Sequence, residues 1–83
     1  MNSKLHAKLE AIATRLCHEL ADSAIDFHED NTPFTDWEEL ENLVSWKLHL
    51  EYRRLTGDSI LYNSRVVGLA ANAVETYQAE LPR

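Results

Sequence analysis

The chain has 83 residues, 45% of them hydrophobic, with 14 acids against eight lysines and arginines and a net charge of −6. That length closes one core with no surplus for a second domain, and the acidic balance excludes a dedicated nucleic-acid binder, which needs cations to displace counterions from phosphates. Cys17 is the sole cysteine, which excludes an intrachain disulfide and points away from an oxidising compartment.

The N-terminus, MNSKLHAKLEAIATRL, lacks the continuous apolar stretch of a secretory signal. No run approaches the roughly 20 apolar residues of a membrane span. A cytoplasmic protein without membrane association is the expectation. Two glycines and two prolines in the whole chain favour long helices over a many-turned β fold.

The first helix is predicted over about 3–28. Leu5, Leu9, Ile12, Leu16, Leu20, Ala24 and Phe27 recur at spacings of three and four and form one stripe, with Ala13 and Cys17 on its flank. Opposite lie Lys4, Lys8, Arg15 and His18, followed by acids. Glu19, Asp22, Asp26 and Glu29 fall within about one quadrant of the helical wheel. They make a ridge with no base at i,i+4 to relieve it, near the helix C-terminus, where the dipole disfavours carboxylates.

Asn31-Thr32-Pro33 then breaks the helix, because proline donates no backbone hydrogen bond and pushes the preceding residue out of the helical region. A second helix is predicted over about 36–56. Thr35 with Glu38 reads as a capping box, and Asp36, Glu38 and Glu39 sit at the positive end of the helix dipole. Trp37, Leu40, Val44, Leu48, Tyr52 and Leu55 form a core stripe, while Leu43, Trp46 and Leu50 form a second apolar patch about 120° or more away. Two stripes need two neighbours: either both other helices cover them, or Leu43/Trp46/Leu50 becomes a dimer seam.

Gly57 is the expected C-cap, followed by a short apolar connector, Ile60-Leu61-Tyr62. The third helix is predicted over about 64–81, capped by Asn63 or Ser64 and ending before Pro82. Val66, Ala70, Ala73, Val74, Tyr77 and Leu81 give its buried face, and Gly68, Ala70, Ala71 and Ala73 allow close approach to a neighbour. The fold class is all-α, a three-helix bundle with helix two as its central element.

The chain offers no catalytic, cofactor-binding or metal site. His18-Glu19-Leu20-Ala21-Asp22 resembles the start of a zinc-protease helix motif, but Asp22 replaces the second histidine and no third ligand is placed. A solvated helix face is the expectation there. Cys17 and His18 point about 100° apart on a helix and cannot form a thiolate–histidine pair; Cys17 reads as a half-buried packing residue. The four histidines share no spacing. Arg53, Arg54 and Arg65 flank the 57–63 turn, yet a helix-turn-helix reader needs a small residue where Arg53 stands. The following helix, SRVVGLAANAVETY, carries one base and reads as core. The arginines are expected to balance Glu51, Asp58 or the acidic segment.

The charge is unevenly placed. Residues 16–46 hold nine acids (Glu19, Asp22, Asp26, Glu29, Asp30, Asp36, Glu38, Glu39, Glu41) and no lysine or arginine, whereas the rest holds eight bases and five acids. Carboxylates without local counter-ions suit a partner that brings the positive charge. A short, acidic, mostly helical chain carrying HELADSAIDFHEDNTPFTDWEELE resembles the small anti-defence proteins of phages and mobile elements, namely antirestriction DNA mimics and anti-CRISPR inhibitors.

The resemblance implies a non-enzymatic inhibitor, without cofactors, acting in the host cytoplasm. Its carboxylates would stand in for DNA phosphates on a basic, nucleic-acid-binding surface of a host effector. Glu19, Asp22, Asp26, Glu29 and Asp30 would be the phosphate-like set, with Asp36, Glu38, Glu39 and Glu41 secondary because capping already accounts for them. The alternative expectation is a small helical homodimer or adaptor acting through Leu43, Trp46 and Leu50, its acids serving only solubility.

Overall fold

A computed structural model describes the backbone of residues 2–27, 37–59 and 61–80, and the side chains of these except 23–27. It is an all-α three-helix bundle with α1 (Ser3–Phe27), α2 (Trp37–Thr56) and α3 (Ser64–Glu80). The expected Asn31–Pro33 break and Thr35 cap, the acids Glu29, Asp30 and Asp36, and Ile60 and Leu81 lie outside the described residues. So do the side chains of Ala24, Asp26 and Phe27.

Local chemistry sets the ends of the helices. Asn2 Oδ1 accepts from the Leu5 N–H at 2.8 Å and opens α1. At the end of α2, Gly57 adopts a φ of +71° and its N–H donates to the Arg53 carbonyl at 2.8 Å, the left-handed cap that glycine adopts without steric cost. Of the two candidates for capping α3, Asn63 does it: its Oδ1 accepts from Arg65 N–H at 2.9 Å and Val66 N–H at 3.3 Å.

Each helix packs against both others almost evenly. The expectation of helix two as a central element is therefore corrected: three amphipathic helices of 25, 20 and 17 residues close one triangular core, in which none is interior. α1, about 37 Å long at ~1.5 Å per residue, runs most of the length of a molecule measuring 42 × 20 × 16 Å.

The core is built from Leu9, Ala13, Cys17 and Ala21 on α1, Leu40, Val44 and Leu48 on α2, and Val66, Leu69, Ala70, Val74 and Tyr77 on α3. Trp37, Tyr52 and Leu55 pack partly buried against it, as the core stripe of helix two requires. Each fully buried leucine contributes about 1.5–3 kcal/mol.

Two registers differ from expectation. On α1 the buried line is Leu9-Ala13-Cys17-Ala21, spaced by four, with Ile12 buried beside it as expected, while Leu5, Leu16 and Leu20 are only half-buried. The stripe is rotated toward its small residues because these permit the closest approach between helices, and the larger leucines reach inward from the flanks. On α3, Leu69 joins the buried face, whereas Gly68 is exposed and a Cβ built on it meets nothing within 4 Å. Gly68 therefore plays no part in helix approach; Ala70 and Ala73 do.

Candidate functional site

The second apolar patch is not covered by the other helices. Leu43 is 39% exposed, Trp46 58% and Leu50 43%. Positions three, four and seven apart return to one side of a helix, so these three make a continuous row facing away from the buried Leu40-Val44-Leu48 line. Lys47 Nζ stands 5.8 Å from the Trp46 ring centroid and covers part of its face with charge. Glu38 and Glu39 are exposed at the N-terminal end of the helix, and Arg53 and Arg54 close its C-terminal end. Arg54 holds Glu51 through Nη2 at 2.7 Å and Nε at 3.1 Å. That hydrogen bond, aided by the charges of Arg54, Arg15 and Lys8, keeps the Glu51 carboxyl below its ordinary range. The expected balance of an arginine by Glu51 is thereby met.

His49, one residue before Leu50, turns the other way and is only 6% exposed. Its Nε2 accepts from the Asn63 N–H at 3.0 Å, so Nδ1 carries the proton and donates to the Ser45 carbonyl at 2.7 Å. The ring also stacks on Tyr62, with centroids 6.1 Å apart and planes inclined by 25°. His49 therefore ties the 57–63 turn and the cap of α3 onto α2. No sequence spacing announced this role; the only local signal is Ser45 at i−4. Within the turn, Leu61 and Tyr62 are exposed, and an open cleft is lined by Tyr52, Tyr62, Asn63, Ser64 and Arg65. Asn63 already occupies the first free N–H groups of α3 there.

The acidic residues named from the sequence are only partly gathered. Glu19, Asp22, Glu38 and Glu39 are exposed and Glu41 is half-buried, while Asp26 lies within α1. The ridge is also not without a base: Arg15 Nε lies 3.8 Å from Glu19 Oε1 at i,i+4. The relieving cation precedes the acidic run instead of sitting inside it. Asp22 projects its field inward. Burial pushes the Cys17 thiol up to about 11, and the Asp22 charge adds to that shift; the Tyr77 hydroxyl is raised by burial first and by Asp22 second.

The solvated face expected around His18 holds for Glu19 and Asp22, which are exposed, and in part for His18, whose side chain is 46% exposed. The His18 ring meets Tyr77 edge-on at 5.1 Å, and Nε2 lies 3.9 Å from Glu80 Oε2, which joins α1 to α3. Cys17, taken as half-buried, is fully enclosed. Among the described residues no group of three His, Cys, Asp or Glu side chains could hold a metal ion, and no helix is long and apolar enough to cross a membrane. Comparison of this chain with family models, curated proteins and solved structures finds no match.

Proposed function

We propose that this chain is a non-enzymatic protein-interaction module whose binding surface is the outer face of α2. The observation that carries this reading is Trp46, 58% exposed between the exposed Leu43 and Leu50 on one face of α2. A large aromatic left in solvent at the middle of an apolar row suits an interface hot spot, where tryptophan, tyrosine and arginine concentrate the binding energy. The flanking charges form the polar rim such patches carry.

A second reading assigns binding to the acidic side of α1, in the manner of an anti-defence inhibitor seated on a basic, nucleic-acid-binding surface of a host effector. The exposure of Glu19 and Asp22 one turn apart on α1 favours it. The two readings separate in one capture experiment. Tagged protein is offered a second, differently tagged copy and a bacterial lysate, at low and at high salt, as wild type, Trp46→Ala and Asp22→Lys/Asp26→Lys. The α2 reading predicts that Trp46→Ala abolishes capture and that capture, resting on an apolar centre, survives at high salt. Loss on Asp22→Lys/Asp26→Lys with a steep fade in salt, while Trp46→Ala captures normally, overturns it in favour of the acidic face.

A further inference from the structure

The outer face of α2 has an internal symmetry that identifies its occupant. Trp46 is the midpoint of the row. Seven and eight residues before it stand the acids Glu39 and Glu38; seven and eight residues after it stand the bases Arg53 and Arg54. At ~1.5 Å per residue each charged pair lies roughly 11 Å from the tryptophan along the axis. Leu43 and Leu50 flank it at three and four residues, both exposed. Turning this helix end over end about Trp46 exchanges acid for base and brings each leucine to within one residue of the other's place.

A face with that property complements itself under a twofold rotation, the symmetry of an isologous dimer, in which one patch meets its own copy. We propose that the partner of α2 is a second copy of this chain, with the two α2 helices packed antiparallel across a twofold axis at the level of Trp46. The two Trp46 rings meet at the centre, and Leu43 of one copy lies against the Leu50 end of the other. The Glu38/Glu39 end of each helix approaches the Arg53/Arg54 end of its mate. The antiparallel sense also sets the helix dipoles in opposition, whereas a parallel pair would place acid on acid and base on base. His49 does not compete for the seam, because its ring is turned into the bundle against Asn63 and Tyr62. Lys47, beside the Trp46 ring, lies at the edge, where its stem can cover apolar surface while its charge stays in water.

This assignment rests on the reading of α2 as the interaction surface, and its test keeps the two apart. Sedimentation velocity is run from low to high micromolar concentration on wild type, Trp46→Ala, Glu39→Arg, Arg53→Glu and the double variant Glu39→Arg/Arg53→Glu, with helical circular dichroism confirming each fold. The expected result is a concentration-dependent dimer for wild type and a monomer for Trp46→Ala. Each single charge reversal should weaken association several-fold, and the double reversal should restore it. Single reversals that leave association unchanged, or a double that fails to recover, overturn the antiparallel arrangement. A monomeric wild type at high concentration overturns the second-copy assignment alone, if Trp46→Ala still abolishes capture of another protein. If Trp46→Ala alters neither self-association nor capture, both readings fall.

Discussion

Replacing His49 with alanine tests whether one buried imidazole holds the α2–α3 connection. Two hydrogen bonds disappear, the one accepted from Asn63 N–H at 3.0 Å and the one donated to the Ser45 carbonyl at 2.7 Å. Each is worth about 1 kcal/mol net, and an orphaned Asn63 N–H adds the cost of a polar group left without a partner. The contacts of a ring that is only 6% exposed are lost as well. Alanine's better helix propensity returns a few tenths of a kcal/mol.

The net expectation is a loss of about 2–3 kcal/mol, or a fall in Tm on the order of 10–20 °C for a domain of this size. A lone core this small typically supplies only ~3–5 kcal/mol, so the variant should sit at the edge of folding. Urea unfolding followed by far-ultraviolet circular dichroism measures the total. Hydrogen exchange of the Asn63 amide localises it, and should accelerate before the core amides do. Tyr62→Ala is the control: it removes the stacking partner but leaves both hydrogen bonds, so it should cost below about 1 kcal/mol. A His49→Ala loss under about 0.5 kcal/mol, or a Tyr62→Ala loss as large as that of His49→Ala, refutes the tether.

The two glycines should respond in opposite directions to alanine. Gly68→Ala fills open space on an exposed helix position and should raise stability by about 0.5–1 kcal/mol, whereas Gly57→Ala forces a Cβ into a left-handed cap and should lower it by about 1–2 kcal/mol; thermal denaturation reads both. Leu48→Ala opens the core and should cost about 2–5 kcal/mol, while Trp46→Ala, at dilutions where the chain is monomeric, should change unfolding by less than about 0.5 kcal/mol. Equal costs in urea would mean Trp46 belongs to the fold and not to an interface. Cys17 gives the pH dependence. Its folded value of about 11 lies above the ordinary 9.0, so the unfolded chain loses this proton first and stability declines as pH rises from 9.0 towards 11. Cys17→Ala should flatten part of that decline, and Tyr77, shifted the same way, adds to it in the same direction.

The three helices were legible because their signals are local. Spacings of three and four give the elements, and Gly57 and Asn63 mark ends whose chemistry is complete within a few residues. What the sequence hid depends on neighbours. The rotation of the α1 stripe toward Ala13, Cys17 and Ala21 follows from how closely the other helices approach, which no hydrophobicity ranking contains. His49 acquires its role only when Asn63, fourteen positions away, folds back over it. The exposed Leu43/Trp46/Leu50 row was visible as a second stripe, but whether a helix covered it was decided by the packing of α1 and α3 onto the opposite side of α2. Glu19 was read within its acidic run, although Arg15, one turn earlier, already reached it.

The claim that α2 meets a second copy of itself is tested most directly by cysteine pairing across the proposed seam. Cys17 is fully buried with its thiol raised to about 11, so it stays silent near neutral pH and need not be removed. Leu43→Cys and Leu50→Cys variants are prepared separately, mixed in equal amounts and oxidised gently. The antiparallel seam predicts a disulfide-linked dimer that joins one variant to the other and forms faster in the mixture than in either variant alone. Preferential self-linking of Leu43→Cys, or no linkage in the mixture at concentrations where the unmodified chain sediments as a dimer, contradicts it.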